Sequence, residues 1–209
     1  MKNKTLIVIS ILSFLGISAF YPFLPDTIPI HWNASGEIDG WGGKWNIFLL
    51  GALPILNVVL FKMLPKIDPK KDNYEKHKKA YEWMQWVTAI VFIGLGWLML
   101  SFSMGIEFDM GTVIRLLIGI MFILLGNFMG QIRQNYFFGI KTPWTLADKT
   151  VWQKTHRRGG VVFALMGLVL IASILLPANY MATVILSTSI GGVAYLFIYS
   201  YLEFRKLQA

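Results

Sequence analysis

The sequence predicts an all-α, polytopic membrane protein with six transmembrane helices and both termini in the cytoplasm. Hydrophobic residues make up 56% of the 209 residues and charged residues 14%, against roughly 45–50% and about 25% in soluble domains. Six apolar stretches each reach the roughly 20 residues that a helix needs to cross a bilayer. Although the net charge is +8, a soluble nucleic-acid-binding protein would not carry such uninterrupted apolar runs. We therefore expect no direct contact with nucleic acid.

The apolar stretches are separated by connections of unequal length. The predicted spans cover residues 5–23, 45–64, 84–104, 112–132, 159–177 and 182–202. Lys2 and Lys4 precede the first stretch as they would in a signal peptide, but the stretch is long and no small-residue cleavage site follows, so we expect a retained anchor. Three connections are long enough to hold structure, namely 24–44, 65–83 and 133–158.

The distribution of charge predicts the orientation of the spans. Of the 19 lysines and arginines, only Lys44 and Arg115 fall on the side opposite the termini. Because cytoplasmic connections are enriched in lysine and arginine, we expect the termini and the connections 65–83 and 133–158 to lie inside the cell. The outer connections carry five carboxylates, those of Asp26, Glu37, Asp39, Glu107 and Asp109.

Three helical hairpins are the expected units of the chain. Residues 1–64 form an N-terminal hairpin with a structured outer loop at 24–44, residues 65–132 form a central hairpin, and residues 133–209 form a cytoplasmic loop with a C-terminal hairpin. The chain contains no cysteine, which excludes disulfides, thiolate metal sites and cysteine nucleophiles.

The outer loop, residues 24–44, has the composition of an ordered cap. Two prolines favour an extended entry, residues 33–36 have turn composition, and three tryptophans suit the headgroup interface. His31, Glu37 and Asp39 suggest a metal or proton site, but their spacing of six and then two residues matches no common ligand motif. We favour a cap in which these side chains bond to the backbone of the loop, and we expect no bound metal and no cofactor.

The connection 65–83 alternates lysines with carboxylates. Asp68 and Pro69 predict a turn, and Asp72 or Asn73 is a candidate cap for a helix that runs into the third span. Lysines near a membrane each contribute about 1 kcal/mol of attraction to anionic lipid. We expect a solvated loop of the kind that sets orientation, rather than a dedicated binding patch.

The connection 133–158 predicts a short amphipathic helix. Thr145 and Asp148 have the spacing of a capping box, and two arginines followed by two glycines at 157–160 predict the helix end. Such a helix would lie on the inner membrane surface, with its aromatic residues toward lipid and its cations toward headgroups. Trp144 and residues 136–138 would otherwise form a large exposed aromatic patch, which is typical of a docking surface for a cytoplasmic partner.

Among the polar residues in or at the edges of the predicted spans are Asn57, Arg115, Asn127 and Gln131, of which the first three are the candidate intramembrane polar residues. Arg115 is close to the outer end of its span, so its side chain is expected to extend to the headgroups. Asn127 is deeper, and we expect it to form a hydrogen bond to a neighbouring helix. No Asp, Glu or Lys falls within the central turns of a span, which argues against an ion-coupled transporter.

Two segments resemble one family of membrane proteins. Residues 24–40 (LPDTIPIHWNASGEIDG) resemble the domain of unknown function at the N-terminus of SdpI-like proteins. Residues 135–159 (NYFFGIKTPWTLADKTVWQKTHRRG) resemble the second signature of that family, in which arginine is common at the position of Lys141. The Gly126–Asn127 pair is also similar to the family pattern, and the length and helix count fit. The chain is thereby identified as a member of the SdpI-like immunity protein family.

The resemblance implies a non-enzymatic immunity protein in the bacterial cytoplasmic membrane. Such a protein protects its producer against a secreted toxic peptide that attacks the membrane, and it also acts as a receptor that holds a cytoplasmic repressor at the membrane. Anionic lipid headgroups are a third expected partner. The outer-loop binding candidates are His31, Trp32, Asn33, Gly36, Glu37, Asp39 and Gly40. The inner-loop candidates for a partner or headgroup are Asn135, Gly139, Lys141, Thr142, Pro143, Trp144, Thr145, Trp152, Thr155, His156 and Arg157.

A small transporter or a lipid-handling membrane enzyme is the alternative. It would use Asn127, His156, Arg157 and Arg158 around a lipid headgroup, although no acidic partner or glycine-rich cradle accompanies them. An enclosed polar cavity that joins Asn127 to His156 would favour this alternative. A tightly packed bundle with two structured loops would favour a receptor or immunity protein.

Overall fold

Six helices of the computed structural model are long and apolar enough to cross a membrane, which confirms the predicted fold class. The structure describes residues 2–33 and 36–208. Two short helices and a pair of strands lie in the connections. The elements in chain order are α1 (Lys2–Ala19), β1 (Thr27–Trp32), β2 (Ile38–Gly43), α2 (Asn46–Ile67), α3 (Asp72–Lys76), α4 (Lys78–Ser103), α5 (Met110–Met129), α6 (Pro143–Ala147), α7 (Lys149–Ala172) and α8 (Met181–Arg205).

The long helices pack as two groups of three. Helix α4 packs against α1 and α2, helix α7 packs against α5 and α8, and α4 meets α5 between the groups. Within the first group, the amide of Asn57 donates to Thr88 Oγ1 (2.8 Å) across α2 and α4. A buried amide that bonds to a neighbouring helix is a common way to hold membrane helices together. The division into three hairpin units stays a prediction.

The second group is held by a close crossing of α5 and α7. Two glycines on each helix face each other, and a Cβ on Gly126 would lie 2.7 Å from the carbonyl oxygen of Gly160. A Cβ on Gly119 would lie 2.8 Å from the carbonyl oxygen of Gly167. Small residues allow the helix backbones to approach in this way, which favours packing in a membrane.

The same crossing explains why the predicted surface helix is wrong. Helix α7 does not end at Gly159 and Gly160 but runs without interruption from Lys149 into the bundle. Each glycine in a helix interior costs about 1 kcal/mol relative to alanine, but packing decides the outcome here. Gly160 faces α5, and Gly159 leaves room for the side chain of Ile140. The arginines at 157 and 158 therefore lie within a helix and not at its end.

Two polar residues of the spans are placed differently from our expectation. Arg115 is only 2% exposed, and its guanidinium donates to the carbonyl oxygens of Ser173 (2.6 Å) and Gly111 (3.1 Å). Ser173 lies at the C-terminal end of α7, where helix carbonyls lack partners within the helix, and its carbonyl holds the guanidinium inside the bundle instead of at a headgroup. Asn127 is exposed on the outside of the bundle, so the prediction of a buried amide is wrong. The preceding residue, Gly126, lies in the interface with α7 instead.

The connections divide between the two ends of the bundle. The hairpin end carries β1 and β2 with the short turns after α4 and α7, and the loop end carries residues 65–77 and a signature loop at 130–148. Apolar residues beneath each end form separate clusters, one around Ile17, Ile28 and Met99 and the other around Met129, Ile132 and Trp152. Which end faces the cytoplasm stays a prediction from charge.

Candidate functional site

The outer loop folds into an antiparallel β-hairpin, which composition alone did not predict. Thr27 pairs with Gly43, and His31 pairs with Gly40. A Cβ on Gly40 would lie 2.9 Å from the Cβ of His31, so glycine at this position lets the strands approach. Gly36 has a φ of +83°, a left-handed conformation that glycine adopts without strain. The predicted turn at 33–36 includes Ala34 and Ser35, which lie outside the described residues.

Side chains of the hairpin bond mainly to one another. His31 Nδ1 lies 2.5 Å from Asp39 Oδ1, and the amide of Asn33 donates to Glu37 Oε2 (3.0 Å). The backbone N–H of Glu37 returns a bond to Asn33 Oδ1 (3.0 Å). The expected bonds to the loop backbone are thus largely replaced by side-chain pairs. Within residues 2–33 and 36–208, no three His, Asp or Glu side chains lie together as a metal site would require.

An apolar groove of about 330 Å³ lies between the hairpin and the helix ends. Four of the outer-loop candidates line it, and the opposite wall is formed by leucines and methionines from α2, α4, α5 and α8. The ring of Phe102 meets Trp32 edge-on at 5.7 Å and fixes its orientation. The residues on the hairpin wall are Ile30, His31, Trp32, Asn33 and Gly36, and the methionines are Met99, Met110 and Met181.

Several carboxylates lie at the hairpin end, the same end of the bundle as this groove. Asp26 is paired with Lys44 (3.1 Å), while Glu37, Glu107 and Asp109 are exposed. Asp109 caps α5 by accepting from Gly111 N (3.0 Å) and from Thr112 Oγ1 (2.5 Å). The hydrogen bond from Thr112 lowers the pKa of Asp109, with the backbone bonds of the cap adding to it. The groove lining is therefore apolar, and the carboxylates of Glu37 and Asp109 are next in sequence to the lining residues Gly36 and Met110.

At the loop end, His156 holds the signature loop onto α7. Its Nε2 accepts the backbone N–H of Ile140 (2.9 Å), so Nδ1 carries the proton and donates to the carbonyl oxygen of Trp152 (2.9 Å). The Trp152 indole stacks on the imidazole with centroids 4.0 Å apart. Gly139 has a φ of +105° and lies directly against Nε2, where a Cβ would collide. His156 is a fully bonded internal residue.

Two further caps complete this end. Thr142 and Thr145 form a reciprocal capping box at α6, and Thr142 Oγ1 also bonds to Ser200 Oγ of α8 (3.0 Å). Asp148 accepts from Thr150 N (2.7 Å) and Val151 N (2.9 Å) and starts α7. The predicted capping box between Thr145 and Asp148 is thus wrong, because each of these residues serves a different helix.

Comparison with known proteins places both motif segments in described families. Residues 8–55 match the Domain of unknown function (DUF1648), and residues 131–202 match the SdpI/YfhL protein family. The C-terminal third of the chain is therefore similar to the SdpI/YfhL family. It is 27% identical over 207 residues to Immunity protein SdpI of Bacillus subtilis (strain 168), with 99% of this chain and 97% of that protein covered. No solved structure matches the chain.

The match to this family and the six apolar helices make the chain a multi-pass protein of the cell membrane. The first matched segment contains most of α1, the hairpin and the first half of α2. The second contains the signature loop, α7 and most of α8. Each matched segment therefore contains the motif residues of one end of the bundle.

Most of the inner-loop candidates lie inside the protein. Six of them are at most 5% exposed, namely Asn135, Thr142, Thr145, Trp152, Thr155 and His156. These six side chains are buried in this conformation, and their contact with a partner or headgroup stays a prediction. Trp144 packs against Phe197 and Tyr201 of α8. Lys141, Pro143 and Arg157 are exposed, and Gly139 is half-buried.

Residues that sequence reasoning missed lie in the connection 65–83, which falls outside both matched segments. Asp68 is buried, and its Oδ2 accepts the Tyr74 hydroxyl (2.8 Å) and the backbone N–H of Tyr136 (3.0 Å). The N–H of Arg133 donates to His77 Nδ1 (3.2 Å). The predicted solvated loop is therefore wrong for these residues. The available signal was the helical spacing of Tyr74, His77 and Tyr81, an apolar face within a charged segment.

Other predictions for this connection have mixed outcomes. Asp68 does form the turn, by accepting from Lys70 N (2.7 Å). Asp72 and Asn73 do not cap α4, because Asp72 begins the separate helix α3.

Burial lowers the pKa of His77 to about 4, and Arg133 nearby contributes. Burial also raises the pKa of Tyr74, with its hydrogen bond to Asp68 adding to the shift.

The alternative of a transporter or lipid-handling enzyme loses its proposed site. Asn127 is exposed on the outside of the bundle and His156 is fully buried and bonded. The two residues therefore do not line one polar cavity. Arg158 lies over the ring of Tyr199 on α8 at 5.4 Å, away from the imidazole contacts of His156.

Proposed function

We propose that this chain is a membrane immunity protein that protects the cell against a secreted, membrane-active antimicrobial peptide. The relative with which it shares 27% identity over nearly the whole length bears the name of an immunity protein. The observation that carries the proposal is the groove at the hairpin end, because His31, Trp32, Asn33 and Gly36 of the family motif line it together.

The chemistry of the groove suits a peptide with an apolar face and cationic side chains. Methionine side chains are flexible and polarisable, so they adapt to irregular apolar surfaces. The exposed carboxylates of the hairpin end would attract cationic groups and orient the peptide as it approaches. Apolar burial would supply most of the binding free energy, and the charges would supply specificity.

The mechanism that follows is capture without chemical change. A peptide whose apolar face is seated under the hairpin cannot present that face to lipid. The proposal requires the hairpin end to face outward, as the distribution of lysine and arginine predicts. It requires no cofactor and no catalytic residue.

The second part of the proposal is that the loop end holds a cytoplasmic repressor. Lys141, Pro143 and Arg157 offer the exposed surface, while the buried motif residues keep the signature loop in place. Charge reversal by the double substitution Lys141→Glu and Arg157→Glu should release a repressor from the membrane without reducing immunity. Unchanged membrane recruitment would remove this part and leave immunity standing.

The test of immunity is survival of a toxin-sensitive strain that expresses the chain. The wild type should raise the concentration of the family's toxic peptide that cells tolerate. Leu98 lines the groove, so Leu98→Trp should fill it and lower tolerance by about tenfold or more, the equivalent of ~1.4 kcal/mol of binding. Leu49 is exposed on α2 outside the groove, and Leu49→Trp is the matched control with no expected loss. No protection by the wild type would refute the proposal.

A further inference from the structure

A small polar cavity at the loop end is formed by three separate parts of the chain. It has a volume of about 300 Å³. Helix α3, the start of the signature loop and the first turn of α7 each contribute a cation to its wall. The lining cations are Lys76, Arg133 and Lys149, and the uncharged polar residues are Asn73, Gln134 and Gln153.

This cavity differs from two other basic cavities at the same end in having no carboxylate on its wall. The cavity around Arg157 and Arg158 contains Glu203, which pairs with Lys154 at 2.7 Å. The adjoining cavity beside Lys78 contains Glu75 and Glu82, and it shares Lys76 and Arg133 with this one. Among the described residues, none of the ion pairs involves Lys76, Arg133 or Lys149.

The wall of the cavity is built on buried, bonded groups. Gln134 is 5% exposed and its amide donates to the carbonyl oxygens of Thr145 (2.7 Å) and Leu146 (2.9 Å). Asn73 donates to the carbonyl oxygen of Gln134 (2.7 Å). The buried Trp152 indole forms another part of the wall and donates to Ile132 O (2.9 Å). The three cations are thus presented from a fixed framework.

Lys70, which bonds to a residue of the cavity wall, is affected by the positive charge there. Burial lowers the pKa of Lys70 and the charge of Lys149 lowers it further, while the nearby charge of Asp68 opposes the shift. Lys70 itself is bonded to Gln134 Oε1. Because like charges that converge without a counter-ion destabilise the folded chain, an anion held among them would stabilise it.

We propose that the cavity formed by Lys76, Arg133 and Lys149 binds a phosphate-bearing anion. Arginine and lysine are suited to phosphate oxygens, arginine through paired N–H groups and lysine as a point charge. The volume is at the lower end of the roughly 300–1,000 Å³ typical of small-ligand sites. The anion is either the headgroup of an anionic phospholipid or a soluble phosphate. This site is independent of the peptide groove.

The experiment uses the full chain, purified in an uncharged detergent. Dioleoylphosphatidylglycerol and inorganic phosphate are titrated separately, with lipid binding followed by native mass spectrometry and phosphate binding by thermal shift. The double variant Arg133→Gln, Lys149→Gln should bind its anion about 30-fold more weakly, from about 1 kcal/mol per cation. The control Lys66→Gln, Lys71→Gln removes the same charge from exposed positions at the same end and should bind as the wild type does.

The two titrations, one with lipid and one with inorganic phosphate, also distinguish the two sources of phosphate. Binding of the lipid with no shift from inorganic phosphate identifies a headgroup site, and stabilisation by inorganic phosphate identifies a soluble anion. Arg133→Lys keeps the charge and should retain most of the binding, which separates loss of the site from loss of the fold. Equal weakening in the control pair would overturn the proposal, as would unchanged binding of both anions by the cavity variant.

Discussion

The two ends of the bundle carry motif residues of similar types but use them in opposite ways. At the hairpin end, the His31 side chain is 69% exposed and pairs with Asp39. At the loop end, His156 is fully buried between Trp152 and the signature loop. The first histidine lies on the wall of a groove, and the second satisfies the backbone of a loop that would otherwise lack a partner.

The two histidines show that a motif residue can belong either to a binding surface or to the framework behind one. Buried backbone N–H and C=O groups need partners, and a loop without regular structure obtains them from side chains. Asn135, Thr145 and His156 serve that purpose in the signature loop. Residue type and spacing do not distinguish the two uses, but burial and hydrogen bonding do.

The largest effect on stability is expected from His156→Ala. The substitution removes a buried ring and leaves the N–H of Ile140 without its acceptor, so the free energy of unfolding should fall by about 4 kcal/mol. The matched substitution His31→Ala removes only an exposed pair and should cost less than about 1 kcal/mol. Equilibrium unfolding in mixed micelles measures both. Equal losses would show that the two histidines do not differ as described.

A somewhat smaller loss is expected from Gly139→Ala. The added Cβ collides with His156 and the left-handed φ adds strain, so we expect a cost of about 3 kcal/mol. Gly105 has a similar φ of +86° with open space around it, so Gly105→Ala should show only the backbone strain of about 1 kcal/mol. Thermal denaturation of the two variants in one detergent gives the comparison. If Gly105→Ala is the more damaging, the contact with His156 does not control the loop.

The stability of the folded chain should depend on pH through His77 at the loop end. His77 has a pKa of about 4 in the folded chain against 6.5 when unperturbed, so the unfolded chain binds its proton more tightly. Stability from this group is complete above pH 6.5 and is lost as the pH falls toward 4, at a slope of at most ~1.4 kcal/mol per pH unit. His77→Asn keeps an acceptor for Arg133 N–H and should remove this slope. A wild-type slope that survives the substitution would assign it to other groups.

Sequence reasoning succeeded where a property is carried by contiguous residues. Six spans follow from apolar runs, and the close packing of α5 through Gly126 agrees with a motif position. It failed where distant segments meet. The partners of Asp68 and His77 include backbone groups 68 and 56 residues further along the chain, which no local pattern reveals. Gly159 and Gly160 have the composition of a helix end, but their environment against Ile140 and α5 makes them helix interior.

The central claim is that the hairpin end recognises the peptide while the loop end maintains the fold. It is tested most directly by the toxin concentration that cells tolerate per molecule of folded protein in the membrane, compared between Leu98→Trp and His156→Ala. We predict that Leu98→Trp keeps its folded amount and loses about tenfold or more in tolerance per molecule, whereas His156→Ala loses folded protein and keeps its tolerance per molecule. The reverse pattern would contradict the account.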